Sequence, residues 1–227
     1  MQRLLFAMEQ EEEDKKNMLR LEAQREEIDQ IDLTAYAEPL LNLISQLSAS
    51  QQAKLRAIIY QTKQLDAKLI SFQKFTKPYE LDVVNAYESA NGMALPLELK
   101  VYLTCVSSSV YKTHLDCTKI TLGRLINMPT IVEGVGYYQQ TELEDIDDDV
   151  YDVNQTEYNM ILEKLRQAKD TTVVLELRGC GCGYTDQIVL NSGNNFGQVW
   201  HEKFAGDGVF SKVNESFFDY ALKITSN

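Results

Sequence analysis

The chain has 227 residues, 44% of them hydrophobic, 25% charged, with only 11 Gly and 4 Pro, a balance that fits a globular protein and excludes collagen-like and wholly disordered classes. Lys and Arg number 22 against 34 Asp and Glu, a formal charge of -12. That sign is the opposite of what phosphate neutralisation requires, so direct nucleic-acid binding and docking on an anionic membrane are not expected.

No apolar run approaches the roughly 20 residues that a bilayer crossing needs, and Leu4 to Met8 is too short for a secretory core. A cytoplasmic, intracellular protein is therefore expected. The four cysteines, Cys105, Cys117, Cys180 and Cys182, then read as small buried hydrophobes or free thiols in a reducing compartment.

Residues 1 to about 32 are rich in Glu, Gln, Lys and Arg and lack Gly and Pro. They read as a solvated helix with a thin stripe of Met18, Leu21, Ile28 and Ile31, too short in heptads to establish a coiled coil. A helical hairpin follows, its first arm over Leu40–Leu47. The second is opened by Ser48 and Gln51 as a capping box and carries a packing stripe of Leu55, Ile58, Ile59, Leu65, Leu69 and Phe72, until Lys77-Pro78 breaks it.

Composition changes near residue 75, which divides the chain into a helical N-terminal region, 1–75, and an α+β domain, 76–227. In the second part, helices are expected from about Tyr79 to Ala90, ended by Asn91-Gly92, and from Pro96 to about Cys105. Residues 118 to 141 read as short strands and loops. Thr156 suits the N-cap of a helix through Ala168. Thr171–Leu177, Asp186–Leu190 and Gly197–His201 read as an antiparallel meander, followed by a last helix with Asn214 as N-cap and Phe217, Phe218, Ala221, Leu222 and Ile224 on its buried side.

Between Glu142 and Glu157 the chain carries eight acids and no base, or -8 of the total -12. Tested against a calcium loop starting at Asp145, the position that needs Gly holds Val150 and the one that needs Glu holds Thr156. Glu144, Asp145, Asp147, Asp148, Asp149 and Asp152 are instead expected to meet a basic protein partner.

Gly179-Cys180-Gly181-Cys182-Gly183 lacks the spacing of a dinucleotide-binding turn, since Tyr184 stands where the last Gly belongs and the following residues read as a strand. Glycines in tight turns or bulges account for it better. Zinc ligation by Cys180 and Cys182 with Cys117 and His114 or His201 lacks the paired knuckles of structural sites, so no metal or cofactor is expected. The alternative to a binding role is a metal-binding or thiol enzyme using Cys180, Cys182 and His201.

Two segments carry a family resemblance over about residues 79 to 225. One is Asn91-Gly92-Met93-Ala94-Leu95-Pro96-Leu97-Glu98-Leu99-Lys100-Val101-Tyr102-Leu103. The other runs from Gly181-Cys182-Gly183-Tyr184 through Gln187–Asn191 and Gly193 to Gly197-Gln198-Val199-Trp200, then Ser216-Phe217-Phe218-Asp219-Tyr220. In their order and spacing they resemble the SUKH superfamily, which includes fungal cell-wall assembly regulators, bacterial immunity proteins against secreted toxins, and viral members.

The resemblance implies an α+β domain whose antiparallel sheet is flanked by helices. It also implies a non-enzymatic protein–protein interaction role, as a scaffold or regulator or as an immunity-type protein, with no catalytic residues. Leu95, Pro96, Gly181, Gly183, Gly197, Trp200 and Phe217 read as fold residues, with Trp200 and the two phenylalanines packing the last helix on the sheet.

Overall fold

The computed structural model describes residues 21–70, 73–112, 116–122, 125–128, 172–181, 183–191, 195–202, 210–214 and 216–226. Residues 21–29 are helical (α1), and a 3-10 turn follows at Leu33–Ala35. Pro39 opens α2 (Glu38–Ile44). Ser48 and Gln51 form the expected capping box at the start of α3 (Ala49–Lys68), whose inner face buries Leu55, Ile58, Ile59 and Thr62. The helix closes at Leu69, well before Lys77-Pro78.

Helix α4 (Leu81–Asn91) ends on Gly92 in the left-handed region (φ 62°), where the absence of a Cβ removes the usual steric cost. Helix α5 (Leu97–Cys105) follows Pro96, which is the N-cap rather than the first helical residue. Three serines then lock the neighbouring chain. Ser107 and Ser108 donate to the carbonyls of Thr76 and Lys77, and Ser109 Oγ accepts from the Thr76 amide.

Strands β1 (Ser109–Lys112) and β2 (Asp116–Lys119) form an antiparallel hairpin, beginning before the stretch from residue 118 in which short strands were expected. β3 (Leu125–Met128), β4 (Thr172–Gly181), β5 (Tyr184–Val189), β6 (Val199–Glu202) and β7 (Phe210–Asn214) form a five-stranded antiparallel sheet in sequential order. The expected meander is therefore present, with one further strand on each side. The chain ends in α6 (Phe217–Thr225).

Asn214 is not the cap of α6. It is held in β7 opposite Val199, and Ser216 caps the helix by accepting from the Asp219 amide at 3.3 Å. The fold is thus α+β, with a helical N-terminal region and an antiparallel sheet against helices. Leu55, Ile58 and Ile59 of α3, Leu99 and Leu103 of α5, Leu175 and Ile188 of the sheet, and Phe217 and Phe218 of α6 all belong to one apolar cluster. The helices on the two sides of residue 75 therefore share a core.

Pro96 and helix α5 meet Gly197 and the start of α6 in space. Gly197, at φ 81°, brings its Cα against Pro96, so that an added Cβ would lie 3.4 Å from the proline Cβ. Tyr102 meets Phe217 edge to face at 5.1 Å. Glu98, only 8% exposed, accepts from the Phe218 amide at the head of α6 and from Gln51 Nε2 on α3, each at 2.8 Å. Its charge complements the positive end of the helix dipole.

Trp200 departs from its expected place. It is buried, but it is paired with Gln187 and so lies on the sheet face opposite Ile188 and Val199, the residues that join the core with α6. Phe217 and Phe218 pack the last helix as expected; Trp200 serves the other face.

Candidate functional site

The densest group of ionisable side chains among the described residues is centred on Asp186 of β5, which is almost wholly buried. Cross-strand pairing sets Arg178 of β4, Asp186 and His201 of β6 in one row. That row shares a face with Ile188 and Val199, so it lies at the end of the apolar core.

Two irregularities in β4 make this row possible. The register passes from Glu176–Gln187 to Arg178–Asp186 and from Gly179–Thr185 to Gly181–Tyr184, leaving Leu177 and Cys180 as extra residues. Strict alternation from the core residue Leu175 would send Arg178 and Cys180 to the opposite face. The first bulge restores Arg178 to the core side while Leu177 stays buried in the cluster. Gly181 and Gly183, at φ 91° and 81°, turn the chain back into β5.

Arg178 Nε donates to Asp186 Oδ2 at 2.6 Å, and the Tyr220 hydroxyl of α6 donates to the same oxygen at 2.8 Å. His201 Nδ1 lies 2.6 Å from the other oxygen, Oδ1, and with the carboxylate ionised it is the donor. Arg178 also donates through Nη1 to the Tyr111 carbonyl of β1, tying the hairpin to the sheet. The Cys180 sulfur, an Asp186 oxygen and a His201 ring nitrogen all lie within 4.8 Å of one another.

Burial alone would raise the Asp186 pKa, but Arg178, with hydrogen bonds from His201 and Tyr220, outweighs it and holds the carboxyl below its usual range. Desolvation and the Asp186 charge push the Cys180 thiol up to about 11, against the opposing pull of Arg178. Tyr220 is driven well above its ordinary value by burial and then by Asp186. At neutral pH the group therefore holds one carboxylate, one guanidinium and a protonated thiol. An attacking thiolate is absent from that set, and activated cysteines need the reverse electrostatics.

Of the residues singled out in the sequence, Cys180 and His201 are brought together, and Cys117 lies on β2, paired with Tyr111. Cys182, His114, the acidic residues Glu144, Asp145, Asp147, Asp148, Asp149 and Asp152, and the helix expected from Thr156 lie outside the described residues. Sequence reasoning missed Asp186, Arg178 and Tyr220. The signal was present in Arg178 and Asp186, two opposite charges in strands of otherwise apolar and β-branched character, and such charges are seldom buried unless paired.

Among the described residues no helix is long and apolar enough to cross a membrane. Comparisons with protein-family models, with curated proteins and with solved structures gave no match.

Proposed function

We propose that the chain is a non-enzymatic protein-binding module, a scaffold or regulator or an immunity-type protein, that engages a basic partner protein in the cytoplasm through its acidic segment. The observation that carries this reading is the run of eight acids and no base between Glu142 and Glu157. Such a patch raises the encounter rate with a basic partner and disfavours acidic ones. The resemblance to SUKH domains supports the same class of function.

The test is affinity capture from cell lysate on the immobilised full chain, with a parallel column carrying Asp147→Lys, Asp148→Lys and Asp149→Lys together. The expected result is a basic protein retained by the parent chain, released by about 0.5 M salt, and lost from the variant. Retention of the same proteins by both columns would overturn the reading.

A further inference from the structure

Cys180, Asp186 and His201 combine a soft sulfur, an imidazole and a carboxylate, the donor set that suits zinc-class divalent ions. They come from three adjacent strands, β4, β5 and β6, so the sheet itself fixes their spacing. Ligand bonds of about 2.0 to 2.3 Å place tetrahedral donor atoms roughly 3.3 to 3.8 Å apart. Donors already converging within 4.8 Å need only side-chain adjustments to reach that geometry.

The surroundings of Asp186 are arranged as a supporting shell. Arg178 and Tyr220 both donate to Oδ2, which orients the carboxylate and leaves Oδ1 directed at His201 Nδ1. Metal-ligating carboxylates are held in this way, one oxygen on the ion and the other on neighbouring donors. Cys180 and His201 are only partly buried, which gives an ion a way in.

We propose that Cys180, Asp186 and His201 form a three-ligand site for a zinc-class divalent ion, with water in the fourth position. On binding, the ion replaces the contact between His201 Nδ1 and Asp186 Oδ1, the imidazole proton resides on Nε2, and the thiol proton is released to solvent. Carboxylate and thiolate together balance the divalent charge, while Arg178 stays on the outer oxygen. The ion would clamp the bulged end of β4 to β5 and β6. This site is independent of the acidic segment, so its failure would leave the binding reading untouched.

Cobalt(II), added to the chelator-treated full chain, is the probe. The expected result is one equivalent bound with a sulfur-to-cobalt charge-transfer band and the visible spectrum of a tetrahedral ion, both removed by zinc. Cys180→Ser should abolish the charge-transfer band, and His201→Gln should weaken binding at least about tenfold, while Cys182→Ser leaves the spectrum intact. Metal-free thermal melts of each variant, compared with the parent, separate lost ligation from lost folding. No spectral change in the folded parent chain, or a band that persists in folded Cys180→Ser, would overturn the assignment.

Discussion

Cys105, at the end of α5, shows how a single buried group makes stability depend on pH. Burial pushes its thiol from near 9 up to about 11, against a weak hydrogen bond with Thr104. A folded-state value above the unfolded one means that the native state holds the proton longer. The contribution is therefore complete below pH 9 and is lost as pH rises through 9 to 11. A shift of this size corresponds to something on the order of 2 to 3 kcal/mol. Chemical denaturation at about pH 8 and about pH 10.5 should show that loss in the parent chain and a flatter profile in Cys105→Ala. The neighbouring Tyr36 hydroxyl, pushed from near 10 to about 12 mainly by burial and then by Cys105, adds its own slope between pH 10 and 12, so the Cys105→Ala profile keeps that part of the loss.

Residues whose role is local were legible in the sequence: Ser48 and Gln51 cap α3, and Gly92 ends α4. Asp186 was not, because its importance depends on partners brought from β4, β6 and α6, and the partner on β4 arrives through a bulge. Alternation from Leu175 places Arg178 on the wrong face, so period-two reasoning hides the ion pair rather than suggesting it.

At the scale of elements, α6 is the piece on which the others converge. Its first turn is capped by Ser216, its second amide is met by Glu98 of α5, and Asp219 pairs with Lys54 of α3 at 2.7 Å. Glu98 is the deepest of these links, since it joins α5 to both α3 and α6 from a buried position. Glu98→Ala leaves the Phe218 amide and Gln51 without their acceptor and should cost about 3 kcal/mol in urea unfolding. Glu98→Gln keeps one acceptor oxygen and should cost about half as much. Equal losses in the two variants would mean that the one acceptor oxygen Gln retains contributes nothing by itself and that the charge is what matters. The strands were legible wherever β-branched runs were continuous, as in β4 to β6. The β1–β2 hairpin was hidden because Ser109 and its neighbours look like loop residues until the Thr76 backbone is there to meet them.

At the scale of the molecule, the change in composition near residue 75 marks a change of texture and not a gap in packing. Leu55 and Ile58 of α3 are fully buried, and α3 makes its most extensive helix contact with α6 among the described residues. Fully burying an aliphatic side chain contributes about 2 kcal/mol, so removing α3 takes away several such terms and exposes the facing side of α6. Residues 76–227 expressed alone should therefore fail to give a cooperative thermal transition, whereas the full chain should show one. A sharp transition from the fragment would place its core entirely after residue 75.

The net charge also belongs to this scale, because two thirds of it falls in one segment and its effect is felt beyond contact range. The most direct test of the binding reading is the association rate of the captured partner with the full chain, followed across salt from about 0.05 to 0.5 M. The parent chain should lose at least about tenfold in rate over that range, and the chain carrying Asp147→Lys, Asp148→Lys and Asp149→Lys should associate slowly with little dependence on salt. Equal rates and equal salt slopes for the two chains would contradict the account.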